Sequence, residues 1–90
     1  MAKAVVDPEE LRRFAQALRR FTQGVTQQMT AMQGMMNQLG ETWRDQEHAK
    51  FATEFEAIMR SMGRFNEVAD AQVPLLMKKA EKIEDYFNSR

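Results

Sequence analysis

The 90-residue chain has no cysteine and a single histidine, His48. Disulfide frameworks, thiolate metal sites, thiol nucleophiles and histidine clusters are therefore excluded together. Proline occurs twice and glycine four times, and neither Gly24 nor Gly34 belongs to a GxGxxG or P-loop pattern that would cradle a phosphate. Net charge is missing too: 13 basic residues balance 13 acidic ones, which leaves the chain as a whole without attraction for nucleic acid or an acidic membrane. No apolar run approaches the ~18 residues that span a bilayer, so no integral membrane segment is expected. The opening stretch, with Lys3 and a very short apolar segment, does not read as a conventional secretory signal, although export by a route that reads a folded protein stays open. Neither a cofactor nor a small-molecule substrate is implied, and the nucleophile, base and orienting residue of an enzyme cannot be assembled.

What the sequence does hold is helix-forming. Eight methionines and six phenylalanines accompany few, scattered β-branched residues, a helical usage. Asp7, Pro8 and Glu10 make a helix start, with a side-chain cap, a proline where the amide is unpaired anyway, and an acid that reaches back. From there Leu11, Phe14, Leu18, Phe21, Val25, Met29, Met32, Met36 and Leu39 recur every three or four residues on one face. The segment 39–45 is the one convincing break: Gly40 suits the left-handed position after a helix, and Thr42 or Asp45 can cap the next. A second stripe follows through Phe51, Phe55, Ile58, Met62, Phe65, Ala69, Gln72, Leu76, Ala80, Ile83 and Phe87. The spacing predicts a single all-α domain over 1–90: helix one at about 8–39, a turn at 40–45 and helix two at about 46–87. A connection this short makes the two an antiparallel hairpin. At 1.5 Å per residue they would measure about 45 and about 60 Å, so the second is expected to overhang or bend, with a kink at Pro74 as the first choice.

Several features admit a chemical and a plainer reading. Arg12, Arg13, Arg19 and Arg20 form a flank of helix one that can meet phosphates, but a solvated helix surface is the simpler account. The methionines at 29, 32, 35, 36, 59, 62 and 77 can line an adaptable groove, and they also sit mostly at core spacing. Paired carboxylates such as Glu47 and Glu54 lack a cleft to separate their acidities, and His48 reads as an exposed first-turn residue.

Assembly is the strongest inference. Two helices packed only on each other bury one seam and leave a strip of Phe, Leu and Met side chains in water. Covering that strip calls for a second hairpin, giving a dimeric four-helix bundle. Leu11, Phe14, Leu18, Phe21, Val25, Met32, Met36, Phe55, Ile58, Met62 and Phe65 are the expected core or dimer-packing residues, and Trp43 either locks the turn or presents a contact.

Leu39-x-x-x-Trp43, Phe51 eight residues beyond the tryptophan, the near-equal division of the chain and its length together resemble the WXG family, the early-secreted-antigen-like helical hairpins of type VII secretion. The turn motif would be carried by Leu39, Gly40, Trp43, Asp45 and Phe51, with Asp45 standing where the family has glycine and serving more naturally as a helix cap. The family's export signal is a tyrosine followed four residues later by an acid. Tyr86 occupies the tyrosine's place, with Arg90 four residues on, and is carried over as a remnant of that signal. The resemblance implies a bacterial source, pairing with itself or with a second hairpin of similar length, a secretion ATPase as a further partner, and a secreted or cell-surface destination by a non-classical route. Two other readings stand beside it: an intracellular, cytoplasmic helical adaptor whose arm follows Pro74, and a weak nucleic-acid or membrane-surface binder using the arginine flank.

Overall fold

The first helix opens on Asp7. Its carboxylate accepts a hydrogen bond from the Glu9 amide at 3.0 Å, Pro8 holds the first helical position, and Glu9 and Glu10 put negative charge at the positive end of the helix dipole. The computed structural model describes residues 6–89, in which α1 spans Pro8–Thr42 and α2 spans Gln46–Asn88. The first five residues and Arg90 lie outside the described residues, and with them both the opening stretch and the Tyr86-to-Arg90 spacing. There is no strand among the described residues.

Helix α1 runs three residues past the end that the sequence pattern predicts, because Gly40 does not terminate it. No described residue, glycine or other, has a positive φ, so the left-handed stop expected at Gly40 is absent. The helix ends instead where Trp43 turns to extended backbone at φ −105°, ψ 104°, its amide still donating to the Leu39 carbonyl at 2.9 Å. Arg44 Nε donates to the Gly40 carbonyl at 3.3 Å, satisfying one of the last open acceptors of α1. Asp45, at φ −89°, ψ −173°, caps α2 by accepting from the His48 amide at 3.0 Å. The connection is thus three residues long and contains no conformation that demands glycine.

Helix α2 passes through Pro74 without interruption. The molecule measures 69 × 22 × 15 Å, and a straight helix of 43 residues would be about 65 Å long, so no sharp bend is accommodated at the proline. Pro74 and Asp70 are both exposed residues, and the Asp70 carbonyl loses the helical donor that a non-proline residue at position 74 would supply. Arg12, in the second turn of α1, reaches Glu84, so the overhang of α2 is confined to about its last turn.

The seam between the helices is narrow. Among the described residues, Ala15 and Ala80 are fully buried, and Thr22, Phe55 and Val73 are the other buried residues, with no large side chain wholly enclosed. Small residues permit close approach of the helices but contribute little apolar area. The radius of gyration, 20.3 Å, compares with about 12 Å for a compact domain of this length.

Candidate functional site

The hairpin has two unlike flanks, set by which residues lie on either side of its narrow seam. On one flank, polar side chains bridge the helices. The buried Thr22 hydroxyl lies 3.0 Å from both the Arg19 carbonyl and an Asp70 carboxylate oxygen, and donates to one at a time. One helical turn away, the Asn66 amide donates to the Thr22 carbonyl and to Thr26 Oγ1, each at 3.0 Å, while Asn66 Oδ1 is buried without a partner. These four residues occur as i, i+4 pairs, Thr22 with Thr26 and Asn66 with Asp70, so each pair presents one face of its helix to the other.

The other flank is apolar and open. Phe14, Phe21, Met32, Ile58, Met62 and Phe65 are all exposed, and Leu11, Leu18, Val25 and Met36 are half-buried. Of the expected core or dimer-packing set, Phe55 alone is buried within the chain. The residues that do fill the seam, Ala15, Thr22, Val73 and Ala80, were not in that set. Between the exposed rows runs a groove of about 600 Å³, lined mainly by Phe21, Val25, Met29, Phe55, Ile58 and Met62. It has the apolar lining of a binding surface with no titratable pair directed into it.

At the turn, aromatic rings continue this flank. The half-buried Trp43 meets His48 edge-on with ring centroids 5.1 Å apart and Phe51 at 6.0 Å, and Phe51 in turn lies 6.1 Å from Phe55. Leu39 and Phe51 remain substantially exposed, while Gly40 is half-buried against the His48 ring, whose atoms lie 3.5 Å from where a Cβ would stand. His48 is accordingly not the exposed residue that its first-turn position suggests. It is half-buried, with Nε2 enclosed and unpartnered.

The opposite end is held by charge. Arg12 donates to Glu9 at 2.9 Å and to the two carboxylate oxygens of Glu84 at 2.5 and 3.4 Å. The Arg12 hydrogen bond and then its charge hold Glu84 below the usual carboxylate range, and the same hydrogen bond raises the guanidinium. Arg12 is thereby withdrawn from the arginine flank, which leaves Arg13, Arg19 and Arg20 exposed to solvent. Beyond the clamp, Tyr86 is 69% exposed and packs edge-on against Phe87 at 5.7 Å. No helix is long and apolar enough to cross a membrane, and no three potential metal ligands gather, among the described residues.

The hairpin carries its tryptophan in the central turn, and the family model for proteins of 100 residues with WXG matches residues 4–86. The chain belongs to the WXG family. Among solved structures, it is similar to the secreted protein EsxB from Bacillus anthracis strain Sterne, with 26% sequence identity and a TM-score of 0.80 over 96% of this chain and 98% of that one. A mutant form of EsxB gives 24% identity and a TM-score of 0.79 over 100% and 99% of the two chains, a likeness of fold. Comparison with curated proteins found no match. Within the WXG family, Asp45 stands where the motif name places glycine. Its ordinary φ and its capping bond account for how this turn closes without one.

Proposed function

We propose that this WXG protein is a small non-enzymatic binding module, a substrate or partner of type VII secretion, that acts as one hairpin unit by packing its apolar flank against a second hairpin. The observation that carries this reading is the open row of Phe14, Phe21, Ile58 and Phe65 beside a seam too thin to be a core. A second copy of the chain is the first candidate, because the charges balance and identical copies do not repel. The secreted nature of the similar EsxB supports release from the cell by a route that accepts a folded hairpin. Trp43 with Phe51, and Tyr86 on the last turn, are the residues assigned to recognition by the export machinery, including a secretion ATPase.

The test of pairing is solution mass by light scattering over a dilution series. A stable multiple of 10.5 kDa is expected, and a helical monomer at every concentration would sink self-pairing. Export is tested separately by following the chain in culture medium. Tyr86→Ala is expected to retain the protein in cells without altering its mass in solution, and undiminished export would remove Tyr86 from the signal.

A further inference from the structure

Gly24 sits in the middle of α1, where glycine costs about 1 kcal/mol relative to alanine. Nothing inside the hairpin requires it. Its φ is not positive, and a Cβ built there meets no atom within 4 Å. Ordinary reasons for a mid-helix glycine, a left-handed backbone or the close approach of a neighbouring helix, are thus both absent from the single chain.

The position is nevertheless not on open surface. Gly24 is half-buried and forms part of the wall of the 600 Å³ apolar groove, one turn from Phe21 and Gln28 on the same helix. The missing side chain leaves open space on that wall. Along the same flank Phe14, Phe21 and Phe65 stand more than half exposed, so one chain carries both a notch and the large side chains that fit such a notch. A self-complementary pairing about a two-fold axis needs both features on one surface.

The area available fits a second copy. The chain's accessible surface is 7202 Å², whereas a compact monomer of its mass would expose about 5,400 Å². The excess, on the order of 1,000–2,000 Å², exceeds the ~800 Å² that each partner buries in a standard stable interface. Equal numbers of acids and bases remove the long-range repulsion that would otherwise oppose like copies.

We infer that Gly24 is a specificity-determining contact of self-association: its absent Cβ receives a large apolar side chain from the second copy of the hairpin. This rests on the self-pairing proposed above and adds the residue that sets its fit. Gly34 is the matched control. It also lies mid-helix with open space at its Cβ position, but it is exposed and lines a neighbouring hollow with Thr30 and Asn37 that adjoins the groove at Met29 and Met59, without forming part of the groove wall.

The measurement is the self-association constant of Gly24→Ala, Gly24→Leu and Gly34→Ala, by sedimentation or light scattering, with helix content followed by circular dichroism. Alanine at either glycine favours the isolated helix. Gly34→Ala should therefore retain wild-type pairing, while Gly24→Ala weakens it by about tenfold and Gly24→Leu by more, the usual scale of overpacking a close interface. Wild-type dimers with Gly24→Ala and Gly24→Leu pairing as tightly as wild type would overturn the role of Gly24 and leave self-pairing intact. Equal weakening by Gly34→Ala would overturn it too, by showing that an added methyl on α1 weakens pairing wherever it is placed and not specifically at the groove. A wild-type chain that stays monomeric would remove the inference together with the pairing on which it rests.

Discussion

At Asp45 one carboxylate does the work that a turn motif is expected to delegate to backbone freedom. It caps α2 through the His48 amide at an extended, unstrained conformation, and the His48 so placed packs its ring between Trp43 and Gly40. Replacing Asp45 by alanine removes the cap without touching the apolar flank. A loss of about 1 kcal/mol is expected, read as a lower denaturant midpoint with an unchanged slope. Asp45→Gly should restore a few tenths less than the full amount, since glycine is a fair cap that lacks the side-chain bond. If Asp45→Ala unfolds with the wild-type midpoint, the bond to His48 contributes nothing and the turn is held by its aromatic rings alone. The cap was readable from the residue type and its place before a periodic run. The role of Gly40 was not: glycine after an apolar stripe suggests a left-handed stop, and only the position of the His48 ring shows why a small residue suits the site in an ordinary helical conformation.

The two helices were legible as elements because apolar residues three and four apart can satisfy no other regular structure over such lengths. Which face of each helix turns inward was less so. Periodicity weights large apolar residues, and it therefore singled out Phe14, Phe21, Ile58 and Phe65, which remain exposed, over Ala15, Thr22 and Val73, which fill the seam, although its second stripe did pass through the buried Ala80. The bridging set of Thr22, Thr26, Asn66 and Asp70 left no separate signal, since threonine and asparagine at helical spacing read as surface. The Arg12–Glu84 pair is a contact across 72 positions of sequence that charge patterning within either helix cannot reveal. It joins the start of α1 to the end of α2, and its pH dependence has a definite sign. Glu84 is held below the ordinary carboxylate range in the folded hairpin, so the unfolded chain takes up its proton more readily. The stabilisation is present above the unfolded value of about 4.3 and is lost as pH falls through the depressed folded value. Thermal melts of Glu84→Gln should therefore lie below wild type near neutrality and converge with it in acid. A constant gap at all pH values would show that the pair contributes no linked stability.

The molecule as a whole is long, thin and incompletely covered. Its buried residues are few and mostly small, so the isolated hairpin draws on a single seam for stability while several phenylalanines remain in water. Whatever covers them stabilises the folded form by mass action. If the cover is another copy, the melting temperature rises with protein concentration, and a monomer mass by light scattering would be matched by a melting temperature that does not move. The division of labour between the two flanks has a further consequence. Hydrogen bonding between the helices, whose geometry tolerates little change, is carried by the Thr22–Asp70 set and the Arg12–Glu84 pair and aligns the two helices. Apolar packing, which tolerates many substitutions of similar volume, occupies the side turned to a partner. A lineage of such hairpins can therefore drift in its choice of companion, one exposed phenylalanine or methionine at a time, while every descendant inherits the same helical alignment.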